Sequence, residues 1–130
     1  MMVSSLKRKR IMIVDDDNDC TFTFKIVLEG YGFKVYSFNN AYLALDEYRS
    51  NFYDLAILDI ILPGMNGFQL HRELKKIDKN LKVCFLSARQ LLYVEDSNVS
   101  KKEAGWFIRK PIENQSLLQK VEEMIEVNYA

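Results

Sequence analysis

The stretch LAILDIILPGMNGFQL, residues 55–70, decides the fold, because it reads as a buried strand, a turn and the start of a helix. Its first four residues are apolar without polar alternation, which is typical of strands covered on both faces. The strand ends in an acid, Asp59, and burying an unpaired charge is unfavourable. The sequence should therefore supply a reason for a carboxylate at this strand end.

Apolar segments of the same kind recur at residues 11–14, 34–38 and 82–86, and a weaker one lies at 106–108. The segments between them show apolar residues at helical spacing. Strands that alternate with helices of about 10–15 residues predict βαβ units, a parallel sheet and right-handed crossovers. We therefore expect an α/β domain with helices on both faces of the sheet.

Four helices are indicated by their apolar stripes. The first is expected to stop at Gly30, and the second to begin after Asn39 or Asn40, either of which is a possible N-cap. Segment 89–104 is polar, so we expect only a short or irregular helix there. The stripes are Phe24, Val27 and Leu28; Tyr42, Leu45 and Tyr48; Phe68, Leu70, Leu74 and Ile77; and Leu117, Leu118, Val121, Met124 and Ile125.

Composition restricts the class of protein. The chain has 130 residues, 48% of them hydrophobic, which indicates one globular domain. Eighteen basic and eighteen acidic residues cancel, so we expect no direct nucleic-acid binding and no membrane contact. We expect no signal peptide, and no apolar run in the sequence reaches the length of a membrane span. Cys20 and Cys84 are too few for a disulfide framework and indicate reduced thiols in a cytoplasmic protein.

The basic run KRKR, residues 7–10, is interpreted as a solvated lead-in, with a contact patch as the alternative.

Charged or polar side chains end four of the predicted strands: Asp15 and Asp16, Asp59, Ser87 and Lys110. If these strands are neighbours, the groups meet at one edge of the sheet, where open α/β sheets bind ligands. Three carboxylates there would repel each other by about 10 kcal/mol, from pairwise terms of about 3 kcal/mol. Lys110 offsets one charge, and a divalent cation offsets two more. Carboxylate oxygens suit Mg²⁺, so the sequence predicts a hard-metal pocket with one fixed lysine.

A carboxylate, Mg²⁺ and a lysine are also the groups that phosphoryl transfer requires. Asp59 stands alone at its strand end and is the better candidate for a phosphoryl-accepting nucleophile. Asp15 and Asp16 form a pair and are the better candidates for metal ligands.

Four short motifs together resemble a known family, the response-regulator receiver domain of two-component signalling. They are IVDD after the first strand, LDIILPGMNG after the third, LSA after the fourth and FIRKPI at the fifth. The resemblance covers residues 10–127, after a basic lead-in at 1–9, and no output domain is expected. It implies a single-domain flavodoxin-like (βα)5 fold with a five-stranded parallel sheet in the order 2-1-3-4-5.

The resemblance also implies roles for individual residues. Asp59 matches the phosphorylated aspartate, which also binds the metal. Asp16 matches the direct ligand of Mg²⁺ (or Mn²⁺), and Asp15 its neighbour, which often acts through water. Ile61 matches the position whose backbone carbonyl completes the metal shell.

Further positions match the phosphoryl-binding and switching groups of the family. Ser87 matches the hydroxyl that bonds the phosphoryl group and moves on activation, and Lys110 the lysine that pairs with it. Phe107 matches the aromatic residue that then swings inward, although Tyr is the commoner residue there. The matching loop-shaping residues are Pro63, Gly67 and Pro111, the last often following a cis bond.

The partners implied by the resemblance are a sensor histidine kinase or histidine phosphotransfer protein, and an unknown downstream protein. The downstream protein would bind the face formed by the fourth helix, fifth strand and fifth helix. Apart from its own phosphorylation and dephosphorylation, the domain would catalyse nothing.

Two alternatives stay open at this point. One is a phosphorylation-independent binding module with a receiver-like fold. The other is an aspartate-nucleophile phosphatase, because VDDDND also resembles the D-x-D motif of haloacid-dehalogenase-type enzymes, in which Asp15 would be the nucleophile. A calcium loop is disfavoured, because Cys20 and Ile26 stand where such a loop needs Gly and Glu.

Several residues near these motifs have plainer interpretations. Asp17 and Asp19 are expected in the first turn of a helix, where the helix dipole favours acids. His71 is expected at the surface. Trp106 should point to the opposite side of the sheet from Phe107, because neighbouring side chains on a strand alternate.

Overall fold

The computed structural model describes residues 8–88 and 106–126. These residues form one five-stranded parallel sheet in the order β2-β1-β3-β4-β5, which confirms the predicted fold and strand order. The predicted short helix at 89–104 lies outside the described residues. The strands are β1 (Arg10–Val14), β2 (Lys34–Phe38), β3 (Leu55–Asp59), β4 (Val83–Ser87) and β5 (Phe107–Arg109). The described helices are α1 (Asn18–Tyr31), α2 (Ala41–Asp46), α3 (Gly67–Ile77) and α4 (Asn114–Glu126), of which α4 is the expected fifth helix.

The sheet separates two hydrophobic cores, and this explains the uninterrupted apolar strands. Helices α1 and α4 cover one face and α2 and α3 the other. In β1, Ile11 and Ile13 pack into the first core, while Met12 and Val14 pack into the second. Successive side chains point to opposite faces, so a strand covered on both sides needs an apolar residue at every position.

The prediction that α1 ends at Gly30 was wrong, because the helix extends past this residue. The helix ends at Tyr31, and Gly32 follows it with a φ of 117°. This left-handed conformation favours glycine, and the Gly32 N–H closes the helix by donating to the Leu28 and Glu29 carbonyls. At the other end, Asp17 is the N-cap, and Asp19 lies in the first turn as expected.

Helix α2 is shorter than its apolar stripe indicated. Asn40 is its N-cap, with its side chain accepting from the Leu43 N–H at 2.8 Å. The buried positions are Ala41 and Ala44, whereas Tyr42 is 57% exposed and was wrongly placed on the buried side. Tyr48 lies beyond the last residue of the helix, and its hydroxyl donates to Asp78 at 2.6 Å.

Helix α3 begins with a capping box, in which Asn66 and Gln69 each accept a hydrogen bond from the other's backbone N–H at 2.9 Å. His71, expected at the surface, is only 3% exposed. It lies three residues from both Phe68 and Leu74, on the buried stripe, and its ring meets Phe85 edge-on with centroids 5.4 Å apart. The prediction was wrong because the polar residues around His71 in the sequence lie on other sides of the helix.

Other expectations are confirmed. Trp106 packs against the core under α1 and α4, and Phe107 against the core under α2 and α3. Cys20 and Cys84 are free thiols, half-buried and buried respectively. Among the described helices, none has the length and apolar character needed to cross a membrane.

Candidate functional site

The predicted polar groups meet at the carboxyl edge of the sheet. Asp15 directly follows β1, Asp59 ends β3, Ser87 ends β4 and Lys110 directly follows β5. Because β1, β3, β4 and β5 are neighbours in that order, these strand ends lie side by side. The sheet thus collects groups from distant parts of the sequence, as predicted; their chemical roles remain predictions.

One ammonium group bridges two buried carboxylates at this edge. Lys110 Nζ donates to Asp15 Oδ2 at 2.7 Å and to Asp59 Oδ2 at 2.9 Å. The Asp15 side chain is fully buried, and that of Lys110 is 17% exposed. A single positive charge therefore faces two negative charges in a largely dry environment.

Backbone N–H groups fix the other oxygen of each buried carboxylate. Asp59 Oδ1 accepts from the Ile61 N–H, and Asp15 Oδ1 accepts from the Asp17 N–H, both at 3.0 Å. Each acid is therefore held at both oxygens, which fixes its rotamer before any ligand binds.

The two acids differ in their affinity for a proton. Burial, followed by a hydrogen bond with Asp15, raises the pKa of Asp59 to about 6, although Lys110 opposes both effects. Burial also acts to raise the pKa of Asp15, but hydrogen bonds with Asp59, Lys110 and the Asp17 N–H outweigh it and lower that pKa. Burial would lower the pKa of Lys110, but the two carboxylates raise it above its ordinary value. Asp59 is therefore the more basic of the two buried carboxylates.

A third acid completes a set of oxygen donors. Asp16 is exposed, and one carboxylate oxygen from each of Asp15, Asp16 and Asp59 lies within 4.8 Å of the others. Three acids against one lysine leave an excess of negative charge. Because the donors are carboxylates only, the residues fit a hard divalent cation such as Mg²⁺. The Ile61 carbonyl, two residues after Asp59, remains a predicted fourth donor.

The residues assigned to switching lie on β4 and β5. Ser87 is fully buried, and its carbonyl accepts from the Lys110 N–H at 2.8 Å, which ties the two strand ends together. Phe107 is half-buried, with its ring 5.4 Å from that of Phe85 on β4. Both residues thus lie on strands whose ends adjoin the acidic residues and Lys110.

Glycine is required where α3 approaches Asp59. A Cβ on Gly67 would collide with the Asp59 carbonyl, and the Gly67 N–H donates to the Ile60 carbonyl at 3.0 Å. Pro63 lies exposed on the same loop, and the Lys110–Pro111 bond is cis, as the resemblance implied.

Sequence reasoning missed one contact of the loop between β3 and α3. Gly64 has a φ of 78°, and a Cβ there would lie 2.7 Å from Cε2 of Tyr42. Gly64 in the turn PGMNG was the one sign of a special backbone conformation. Nothing in the sequence indicated that Tyr42 would be its neighbour.

The parallel sheet, its order and the ligand-bearing carboxyl edge are those of flavodoxin-like α/β domains. Within that class, the family model for the response regulator receiver domain matches residues 11–122. The chain therefore belongs to the response-regulator receiver domain family, a family of signalling domains.

Individual relatives agree with this assignment. The chain is 28% identical to the response regulator receiver protein CpdR of Brucella abortus, over 90% of this chain and 97% of CpdR. Two regulators of Bacillus subtilis are also similar, and the chain spans 54% of their length.

Solved receiver structures match the fold closely. The non-phosphorylated HemR receiver domain of Leptospira biflexa superposes with a TM-score of 0.79 at 31% identity, covering 95% of this chain and 98% of HemR. The response regulator TrrA of Thermotoga maritima, solved in complex with Mg²⁺-BeF, gives 0.78 at 31% identity, covering 89% and 98%. The sequence matches and the fold thus agree on the family.

Proposed function

We propose that this domain accepts a phosphoryl group on Asp59 from a sensor histidine kinase or a histidine phosphotransfer protein in the cytoplasm. The observation that carries the proposal is the contact of Lys110 with both buried carboxylates, beside the exposed Asp16. A solved relative, TrrA, binds Mg²⁺-BeF. The arrangement is that of a nucleophile with a fixed cation on one side and metal ligands on the other.

The chemistry is a transfer between two nucleophiles. An oxygen of Asp59 forms a bond to phosphorus while the nitrogen–phosphorus bond of a phosphohistidine breaks, and the departing imidazole keeps the electron pair and takes a proton from solvent. Lys110, already beside Asp59 Oδ2, is positioned to neutralise the oxygens of the arriving group. Asp15, Asp16, Asp59 and the Ile61 carbonyl would hold Mg²⁺ or Mn²⁺, which supplies further neutralisation of the phosphoryl oxygens when bound.

The consequence we propose is a switch in partner binding. Ser87 would move to bond the phosphoryl oxygens, and Phe107 would fill the space that Ser87 leaves. The phosphoryl group can shift this equilibrium only because it binds one state better than the other. The output surface would be formed by β5, α4 and the chain between β4 and β5.

Intact-mass spectrometry after incubation with acetyl phosphate and Mg²⁺ tests the acceptor. We expect a single phosphoryl adduct on the wild type and none on Asp59→Asn. The matched control is Asp54→Asn, since Asp54 precedes β3 at the opposite end of the same strand; it should be modified like the wild type.

The alternatives predict different results. A phosphorylation-independent module would give no adduct with any donor. An aspartate-nucleophile phosphatase would release phosphate steadily and lose its adduct in Asp15→Asn rather than in Asp59→Asn. Membership of the receiver family and the full burial of Asp15 both favour the receiver chemistry.

A further inference from the structure

The edge of the sheet opposite the acidic pocket carries positive charge that the proposed function does not use. Parallel strands all begin at this amino edge, where Arg10 begins β1 and Lys34 begins β2. The two are register partners in the β1–β2 pairing. The loop before β3 adds Arg49 and Phe52 to the same region.

The two arginines share one aromatic ring. Cζ of Arg10 lies 4.2 Å from the centroid of the Phe52 ring, and Cζ of Arg49 lies 4.6 Å from it. Their charges are therefore within about 9 Å of each other, inside the screening length of about 10 Å at 0.1 M salt. A guanidinium that lies against a ring keeps edge N–H groups available for a planar anion such as a carboxylate.

The pleat of the sheet places Lys34 beside this pair. Met12 points into the core under α2 and α3, so Arg10, two residues earlier, lies on the same face. Tyr36 is the register partner of Met12, and its ring contacts Phe52 at 5.2 Å. Lys34, two residues before Tyr36, therefore lies on that face next to Arg10. We call Arg10, Lys34, Arg49 and Phe52 the amino-edge cluster.

Acids near the amino-edge cluster do not neutralise it. Asp54 accepts from the backbone N–H of Arg10 at 2.8 Å and pairs with Lys9 at 3.9 Å. Glu47 lies near Tyr53 together with Arg49. Within residues 8–88 and 106–126, no ion pair joins a carboxylate to the side chain of Arg10, Lys34 or Arg49. Three positive side chains thus converge without a bound counter-charge among the described acids.

We propose that the amino-edge cluster binds an acidic segment of a protein partner, through two or three carboxylates. Charge complementarity supports a short acidic segment, because the cluster has few cations and is bordered by Asp54 and Glu47. A continuous phosphate backbone would pass close to both acids, and the Phe52 ring already carries two guanidiniums instead of offering a face to a base. A polybasic membrane site uses about 4–8 cations, whereas the amino-edge cluster holds three and the neighbouring Lys9 pairs with Asp54.

Fluorescence anisotropy with labelled hexaglutamate tests the surface at low salt. The chain has no net charge, so binding of a polyanion must come from a local cluster. We expect saturable binding by the wild type and about tenfold weaker binding by the double variant Arg10→Gln/Arg49→Gln. The control Lys25→Gln/Lys120→Gln removes the same charge from α1 and α4 and should bind within about twofold of wild type.

Thermal unfolding and binding assays with single-stranded DNA and phosphatidylserine vesicles complete the test. Unchanged thermal unfolding of the double variant shows that its loss of binding is not a loss of fold. Equal weakening in the double variant and the control would overturn the proposal, as would no binding by the wild type. Tighter, Arg10- and Arg49-dependent binding of single-stranded DNA or phosphatidylserine vesicles would also overturn it. None of these readouts depends on Asp59, so failure here is distinguishable from failure of the proposed phosphorylation.

Discussion

Lys110 holds two buried carboxylates with one ammonium group, at 2.7 Å from Asp15 and 2.9 Å from Asp59. Removing it leaves the acids that would bind the metal but removes the cation that contacts Asp59, the proposed acceptor. We expect Lys110→Ala to retain Mg²⁺ binding by calorimetry and to lose the chemical-shift response of β5 to beryllofluoride. Lys120→Ala, an exposed lysine of α4, is the control and should behave as wild type. A normal response in Lys110→Ala would contradict the charge argument.

Adding one methyl group at Gly67 should disturb Asp59, the proposed acceptor. The added Cβ would meet the Asp59 carbonyl, which is backbone and yields little. We expect Gly67→Ala to lower the free energy of unfolding by about 1–3 kcal/mol, as overpacking does, and to slow modification of Asp59. Chemical denaturation and the acetyl phosphate assay measure these effects.

Gly30 is the matched control for this substitution. It lies inside α1, and nothing comes within 4 Å of a Cβ placed there. Gly30→Ala should instead stabilise the domain by about 0.5–1 kcal/mol, because alanine loses less backbone entropy in a helix. The interpretation fails if both alanine variants shift stability in the same direction.

At the scale of elements, Asp78 joins the end of α3 to the segment between α2 and β3. Its carboxylate accepts from the Tyr48 hydroxyl at 2.6 Å, the Ser50 hydroxyl at 2.9 Å and the Asn51 N–H at 2.8 Å. We expect Asp78→Ala to lower the free energy of unfolding by about 1–2 kcal/mol. Asp46→Ala, an exposed acid of α2, should change it by less than about 0.5 kcal/mol. Urea denaturation of both variants measures the difference.

The same contacts make this stabilisation depend on pH. Burial alone would raise the pKa of Asp78, but the hydrogen bonds from Tyr48, Asn51 and Ser50 outweigh it and lower that pKa below its ordinary value of 3.8. A carboxyl whose folded pKa is lowered stabilises the fold fully above its unfolded pKa and loses the effect as pH falls. The stability difference between wild type and Asp78→Asn should be constant above about pH 5 and shrink below pH 3.8. An unchanged difference at pH 3 would show that the charge is irrelevant.

At the scale of the whole molecule, the acidic pocket should link metal binding to global stability. A ligand that binds only the folded state stabilises it by about 2.7 kcal/mol at a concentration 100 times its dissociation constant. We expect Mg²⁺ to raise the thermal unfolding temperature of the wild type and EDTA to reverse the rise. Asp16→Asn should lose most of the shift, and Asp46→Asn should keep it. An equal shift in Asp16→Asn would place the ion elsewhere.

The distribution of charge is also a property of the whole molecule. The formal net charge of zero predicted no nucleic-acid binding and no membrane contact, and it says nothing about how charges are distributed. Asp15, Asp16 and Asp59 collect at one edge of the sheet and Arg10, Lys34 and Arg49 at the other. Composition adds all charges into one number, whereas a parallel sheet separates charges at its two edges by the length of its strands, about 3.3 Å per residue. A net charge therefore could not anticipate the amino-edge cluster.

What the sequence by itself determined follows from local periodicity and chain direction. Apolar runs of four or five residues marked the strands, and parallel strands must end at one edge. That rule placed Asp59 and Lys110, which are 51 positions apart, at the same edge of the sheet. The strand order that brings them into contact was implied only by the family resemblance. The cap at Asn40 was readable because its side chain bonds its own turn, whereas the cap at Asn66 was not predicted.

Only the tertiary structure decided which side chains face a neighbouring element. His71 is buried because its side of α3 meets β4, and Tyr42 is exposed because α2 is short and turns its alanines inward. Two sets of contacts depend on loops, whose paths no periodic pattern specifies. They are the contacts of the Phe52 ring with Arg10 and Arg49, and the hydrogen bond from Tyr48 to Asp78. Periodicity records how one element divides into faces, whereas burial and pairing depend on what packs against each face.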